Sequence, residues 1–180
     1  ATYFAMARGT DSQPALEMTK WFDTNYHYLV PEFDFRTRFQ LDASWLLDEV
    51  HEAQALGIPV KPVLVGPVTY LWLGKEKEAG FDRLTLLPAL TASYRELLGE
   101  LANLGVEWVQ VDEPALVLDL PEHWAAQLET TYGTLTTMGS KLLLATYFGG
   151  VAHLADRVKR LPVGGLHLDL VRAPEQLEAF

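Results

Sequence analysis

The sequence predicts an α/β fold built on a parallel sheet, and three observations predict it. Short apolar runs alternate with longer helical patterns about five times. The runs are brief and rich in Val, Leu and aromatics, as buried parallel strands are. Gly57, Gly105, Gly139 and Gly164 fall just before runs, where the glycine that ends a preceding helix belongs.

In chain order, the expected strands are Lys20–Thr24, Val60–Val65, Trp108–Asp112, Lys141–Thr146 and Gly165–Leu170. Between the first two, Leu46, Val50, Ala53 and Leu56 mark a helix, with Asp42 or Ser44 available to cap it. Leu87, Leu90, Tyr94, Leu97, Leu101 and Leu104 advance by alternate threes and fours, which lines them up on one stripe of a second helix. Trp124, Leu128 and Leu135 mark a third, with Pro121 at a first-turn position that tolerates proline. Val151, Leu154, Ala155 and Val158 mark a fourth, ended by Pro162, and "APEQLEAF" at the end of the chain reads as a fifth.

This rhythm fits both a doubly wound sheet and a (β/α)8 barrel. A full barrel needs roughly 250 residues, so five units in 180 make about two-thirds of one. With no low-complexity stretch and no linker, residues 1–180 read as a single unit. The first residue, Ala1, and the helical pattern running into Phe180 make both ends read as cut from something larger.

Composition narrows the function. At 49% hydrophobic, the chain has enough apolar material for one substantial core. No apolar run reaches the roughly 18–20 residues that span a bilayer, and no signal peptide opens the sequence. The absence of cysteine excludes disulfides and thiolate metal sites and fits a cytoplasmic location. Fourteen Lys plus Arg against 24 Asp plus Glu give a net charge of −10, with no basic face for nucleic acid. An anionic small substrate would therefore need a local basic pocket.

In either parallel fold, functional groups gather where the strands end. Those ends read "DTNYHY", "GPVTYLWLGK", "DEPAL", "TYFGG" and "HLDLVR", all polar or aromatic, whereas the opposite ends are mostly glycines and helix caps. Asp112 and Glu113 offer acid–base or amine-binding chemistry, against the plainer role of capping the next turn. Adjacent strand residues face opposite ways, so at most one of the two aims into a barrel mouth. Lys20, in "EMTKWF", is either a stem lying along aromatic rings or the positive charge an anionic ligand requires. The stretch Gly66–Phe81 is long for a strand-to-helix connection and reads equally as a binding loop or a solvated insertion. His51 and His123 lie on helix patterns, His153 has no neighbouring ligand type, and His27 and His167 lie near strand ends. No His-x-His or His-x3-His spacing occurs, so no metal site is expected.

Taken together, "EMTKWFDTNYHYLVPE", "VKPVLVGPVTYLWLGK", "VEWVQVDEPALVLDLP" and "KLLLATYFGG" resemble the amino-terminal half of cobalamin-independent methionine synthase. That family comprises the 5-methyltetrahydropteroyltriglutamate–homocysteine methyltransferases, and the resemblance runs in order along essentially the whole chain. It implies a partial (β/α)8 TIM barrel of about five parallel units. It also implies a carboxy-terminal catalytic barrel in the same parent chain, holding zinc through His, Cys and Glu. There, homocysteine thiolate takes the methyl group of the folate to make methionine. The amino-terminal barrel implied for this chain braces that partner and helps hold the folate's polyglutamate tail, with the lysine of Glu-Met-Thr-Lys-Trp-Phe as a folate contact. That lysine is Lys20.

The family's catalytic half carries a sister phrase in which Asp-Glu-Pro-Ala-Leu continues into Arg-Glu. Its Asp holds the amino group of homocysteine and its later Glu touches the folate. Here the phrase continues Val117-Leu118, so the resemblance implies a structural Asp112, no zinc ligands in "LATYFGG", and no catalytic residue in this piece alone. Two other readings remain at this level. One is a free-standing binding or scaffold domain. The other is a barrel hydrolase or decarboxylase using Asp112, Asp169 and His167.

Overall fold

A computed structural model describes residues 2–180, which fold around a four-stranded parallel sheet. The chain begins with a short helix, α1 (Thr2–Arg8), and a hairpin of β1 (Met18–Lys20) and β2 (His27–Leu29). Next come β3 (Glu32–Phe33), helix α2 (Ser44–Ala55) and β4 (Val63–Val65). Helix α3 (Pro67–Trp72), β5 (Lys75–Glu76) and the long helix α4 (Leu87–Asn103) lead to β6 (Trp108–Asp112). The remainder is α5 (Glu122–Ala125), α6 (Gln127–Leu135), β7 (Lys141–Ala145), α7 (Ala155–Val158) and β8 (Gly165–His167).

The main sheet has the order β4-β6-β7-β8, every pair parallel. Each new strand is added on the same side of the last, so the order never reverses. Along β6, Val109 and Val111 are fully buried while Trp108, Gln110 and Asp112 are half-exposed; in β7, Leu142 and Leu144 are buried and Leu143 is not. The buried face joins Leu90, Leu98 and Leu101 of α4 and Leu128 and Leu135 of α6 in one core. Burying each such side chain contributes about 1.5–3 kcal/mol. The other face is open, with Val63 at 54% and Val65 at 37% exposure.

Four of the five expected parallel strands are therefore present, each trimmed at one or both ends except Trp108–Asp112. The fifth is corrected. Lys20–Thr24 is not a parallel strand, because Lys20 ends β1 and pairs with His27 across an antiparallel hairpin whose turn takes up the next residues. The turn closes locally: the amide of Trp21 donates to the carbonyl of Tyr26 at 2.7 Å, and the Thr24 hydroxyl donates to the Trp21 carbonyl at 2.7 Å. Local polar closure outweighs strand propensity there.

Smaller departures have equally local causes. Asp42 makes the side-chain contacts at the start of α2, its carboxylate accepting from both the amide and the hydroxyl of Ser44. In α4 Leu98, outside the expected stripe, is fully buried along with Leu101, whereas Tyr94 and Leu97 lie at the edge of the stripe. Pro121 caps α5 from outside it, and the third expected helix is divided between α5 and α6. The terminal "APEQLEAF" is a 3-10 helix over Pro174–Ala179. Gly66–Phe81 is no solvated insertion, since Val68, Thr69 and Leu71 of α3 are completely buried and β5 pairs in parallel with β3.

Candidate functional site

Val65, Asp112, Ala145 and His167 are register partners in one row across the ends of β4, β6, β7 and β8. This row is the rim to which the sequence assigns functional groups. Asp112 faces the open side, where its two oxygens accept from the Gln110 side-chain amide at 2.8 Å and the Tyr147 hydroxyl at 2.9 Å. Burial and the adjacent Asp112 charge push the Tyr147 hydroxyl well above its ordinary pKa.

Glu113 turns the other way, as strand alternation requires. It is completely buried, and its carboxyl accepts from the amides of Val68 at 3.2 Å and Thr69 at 2.7 Å and from the Tyr132 hydroxyl at 3.0 Å. Those amides belong to the first turn of α3, whose N–H groups have no partner within the helix. Burial raises the Glu113 pKa to about 7, and the hydrogen bonds from Thr69, Val68 and Tyr132 pull in the opposite direction without prevailing. Gly66 makes room for this arrangement: a Cβ there would lie 2.1 Å from the Glu113 carboxyl carbon. The strand thus ends on two carboxylates because one binds a helix start and the other faces the rim.

His167 and Asp169 do not form a catalytic set with Asp112. His167 Nδ1 lies 3.1 Å from the carbonyl oxygen of Thr146. Asp169 accepts from the amides of Phe148, Val171 and Arg172 at 3.0, 3.2 and 3.0 Å, contacts that hold its pKa below the usual carboxylate range. Its acceptor capacity is spent on two loops. Among the described residues no group of three or more His, Cys, Asp or Glu could hold a metal ion. Zinc does not fit the side chains of the described residues.

Lys20 is exposed at the end of β1 and forms no ion pair among the described residues. The lysines of "GKEKEAG" differ, because Lys75 pairs with Glu17 at 2.5 Å and Lys77 with Glu32 at 2.9 Å. Beside the hairpin lies a cleft of about 530 Å³, lined by Trp21, Tyr28, Phe33, Arg38 and Tyr70 among others. Sequence reasoning missed Tyr132, and it quoted Thr69, Phe148 and Arg172 only within strand-end phrases without singling them out. Tyr132 sits within a helical pattern and Thr69 within the Gly66–Phe81 connection, and nothing in their spacing marks them as partners of Glu113.

Fold and rim together define an α/β domain with helices against one sheet face and polar and aromatic groups where the strands end. More particularly, the chain belongs to the family described as cobalamin-independent synthase, N-terminal domain, which it matches over residues 1–180. It is 59% identical over 180 residues to a 5-methyltetrahydropteroyltriglutamate–homocysteine methyltransferase of Paraburkholderia phytofirmans. Proteins of the same description from Actinobacillus pleuropneumoniae and Nitrosomonas europaea are 59% and 58% identical over 178 residues. These alignments cover 99–100% of this chain but 24% of each relative, so the chain spans about a quarter of their length. No helix among the described residues is long and apolar enough to cross a membrane.

Proposed function

We propose that this chain is one unit of the amino-terminal, non-zinc barrel of a cytoplasmic methyltransferase. That enzyme moves a methyl group from 5-methyltetrahydropteroyltri-L-glutamate to homocysteine. The other half of the parent supplies the zinc and the bond-making groups, and this piece alone is inactive. Its contribution is to hold the acidic folate tail, with Lys20 as a contact. A tail carboxylate gains a charge-assisted partner from an ammonium that is not already neutralised. Support comes from the family membership, the matching relatives' description and, in the structure, the exposed Lys20 with no carboxylate paired to it among the described residues. That last observation carries the site assignment.

The barrel reading draws support from the sheet. A doubly wound fold reverses its strand order and covers both faces with helices. Here the order β4-β6-β7-β8 never reverses, and the face bearing Gln110 and Asp112 stays open. A barrel wall has this form, helices outside and the other face turned inward.

The test is Lys20→Ala in the full-length enzyme. KM for the triglutamate donor is expected to rise about three- to tenfold, the worth of one exposed charge contact, with little change for the monoglutamate. Equal behaviour of the two donors in the variant would remove Lys20 from the tail site.

A further inference from the structure

Phe22 and Phe148 are the two non-glycine described residues with positive φ, at 50° and 76°. A bulky side chain in the left-handed region costs on the order of 1–2 kcal/mol, so such positions persist only where the surroundings hold them. These two, far apart in sequence, hold each other: their rings stack with centroids 5.4 Å apart and planes 29° from parallel. The Arg172 guanidinium lies over the Phe148 ring, 5.4 Å from its centroid, and pairs with Asp23, the residue after Phe22. Trp21 and Tyr147 each meet their neighbouring phenylalanine edge to face. Three segments therefore close on one point: the turn of the β1–β2 hairpin, the loop after β7, and the loop after β8.

The hairpin has a second attachment at its base. The Tyr28 hydroxyl donates to the Leu73 carbonyl at 3.2 Å, and Lys75 bonds to Glu17 at 2.5 Å. Lys20 lies between the two attachments, two residues before Phe22. With the base alone fixed, a three-residue hairpin could swing its tip away from the sheet.

We infer that Phe148, with Arg172, is a positioning residue: it clamps the hairpin tip to the strand-end rim and so fixes where the Lys20 ammonium is presented. The role in tail selection rests on the Lys20 assignment proposed above. The clamp itself does not. Phe148 stacks on the hairpin's Phe22, so its loss is expected to act on tail binding and not on turnover.

The test compares Phe148→Gly, Phe148→Tyr and Lys20→Ala in the full-length enzyme. Glycine accepts φ near +76° without strain while removing the ring, so it separates the clamp from a folding defect. Phe148→Gly is expected to speed amide exchange across residues 18–29 and to raise KM for the triglutamate donor about three- to tenfold. Turnover and the monoglutamate KM stay within about twofold, less than 0.5 kcal/mol. Phe148→Tyr keeps the stack and restores both readouts, and Phe148→Gly added to Lys20→Ala costs no further tail affinity. Unchanged exchange in the hairpin of Phe148→Gly would overturn the clamp. Faster exchange with an unchanged triglutamate KM would overturn its positioning role, provided Lys20→Ala shows the tail effect. If Lys20→Ala shows none, the tail assignment fails, and hairpin exchange in Phe148→Gly alone decides the clamp.

Discussion

The carboxyl of Glu113 accepts a hydrogen bond from the backbone amide of Thr69 at 2.7 Å, with no part of the Glu113 side chain exposed to solvent. This contact joins the end of β6 to the start of α3 across 44 residues of sequence. Among the described residues no Lys, Arg or His bonds to the carboxyl; the titratable groups around it are Tyr132, Tyr94 and, one residue back, Asp112. The carboxylate is steadied by donors alone.

One consequence is a pH dependence of stability with an unusual sign for a carboxylic acid. The folded-state pKa of Glu113 is raised to about 7 from 4.5, so between those values the folded chain binds more protons than the unfolded one. Stability from this group is then full below about pH 4.5 and falls as pH rises toward 7, by roughly 3 kcal/mol in all. Glu113→Gln, which does not titrate, is expected to flatten that limb. Urea unfolding midpoints at pH 5 and pH 7.5 provide the check, and parallel slopes for the two proteins would remove Glu113 as the cause.

Gly66 is required for space and not for backbone freedom, since its φ of −71° and ψ of 150° suit any residue. Gly66→Ala drives a methyl group into the Glu113 carboxyl and is expected to cost about 1–3 kcal/mol. Shortening the partner relieves the clash. In a double-mutant cycle, Gly66→Ala combined with Glu113→Ala should therefore cost less than the sum of the two single changes. Additive losses would show that the alanine methyl group meets something else.

The outer edge of β4 has no strand beside it among the described residues, and Val63 and Val65 of this edge strand expose their side chains on the open sheet face. An open apolar edge is a template for pairing with another chain. The 180-residue chain by itself is expected to associate as its concentration rises, and Val63→Lys to suppress this. Sedimentation velocity across a tenfold concentration range measures it. Association undiminished in the variant would place the contact on another surface.

Local signals account for most of what could be read in advance. The stripe of leucines in α4 and the alternating valines of β6 are short-range patterns, and both elements formed where those patterns lie. The expectation that Asp112 and Glu113 point apart also held, because strand alternation needs only neighbouring residues. "WFDTNY" misled, since its aromatic residues suit a strand while its Asp, Thr and Asn suit a turn, and the turn formed.

By itself, the sequence determined the alternation of helices and strands, the family, and the polar and aromatic character of the strand ends. Periodicity, turn chemistry and matched phrases are all properties of a linear chain. Only the tertiary structure decided that Glu113 seals a helix start against Tyr132, that Asp169 is spent on backbone amides, and that Phe22 meets Phe148. Each of these joins residues far apart in the chain through burial or stacking, and sequence spacing carries no record of which distant side chain will fill the space.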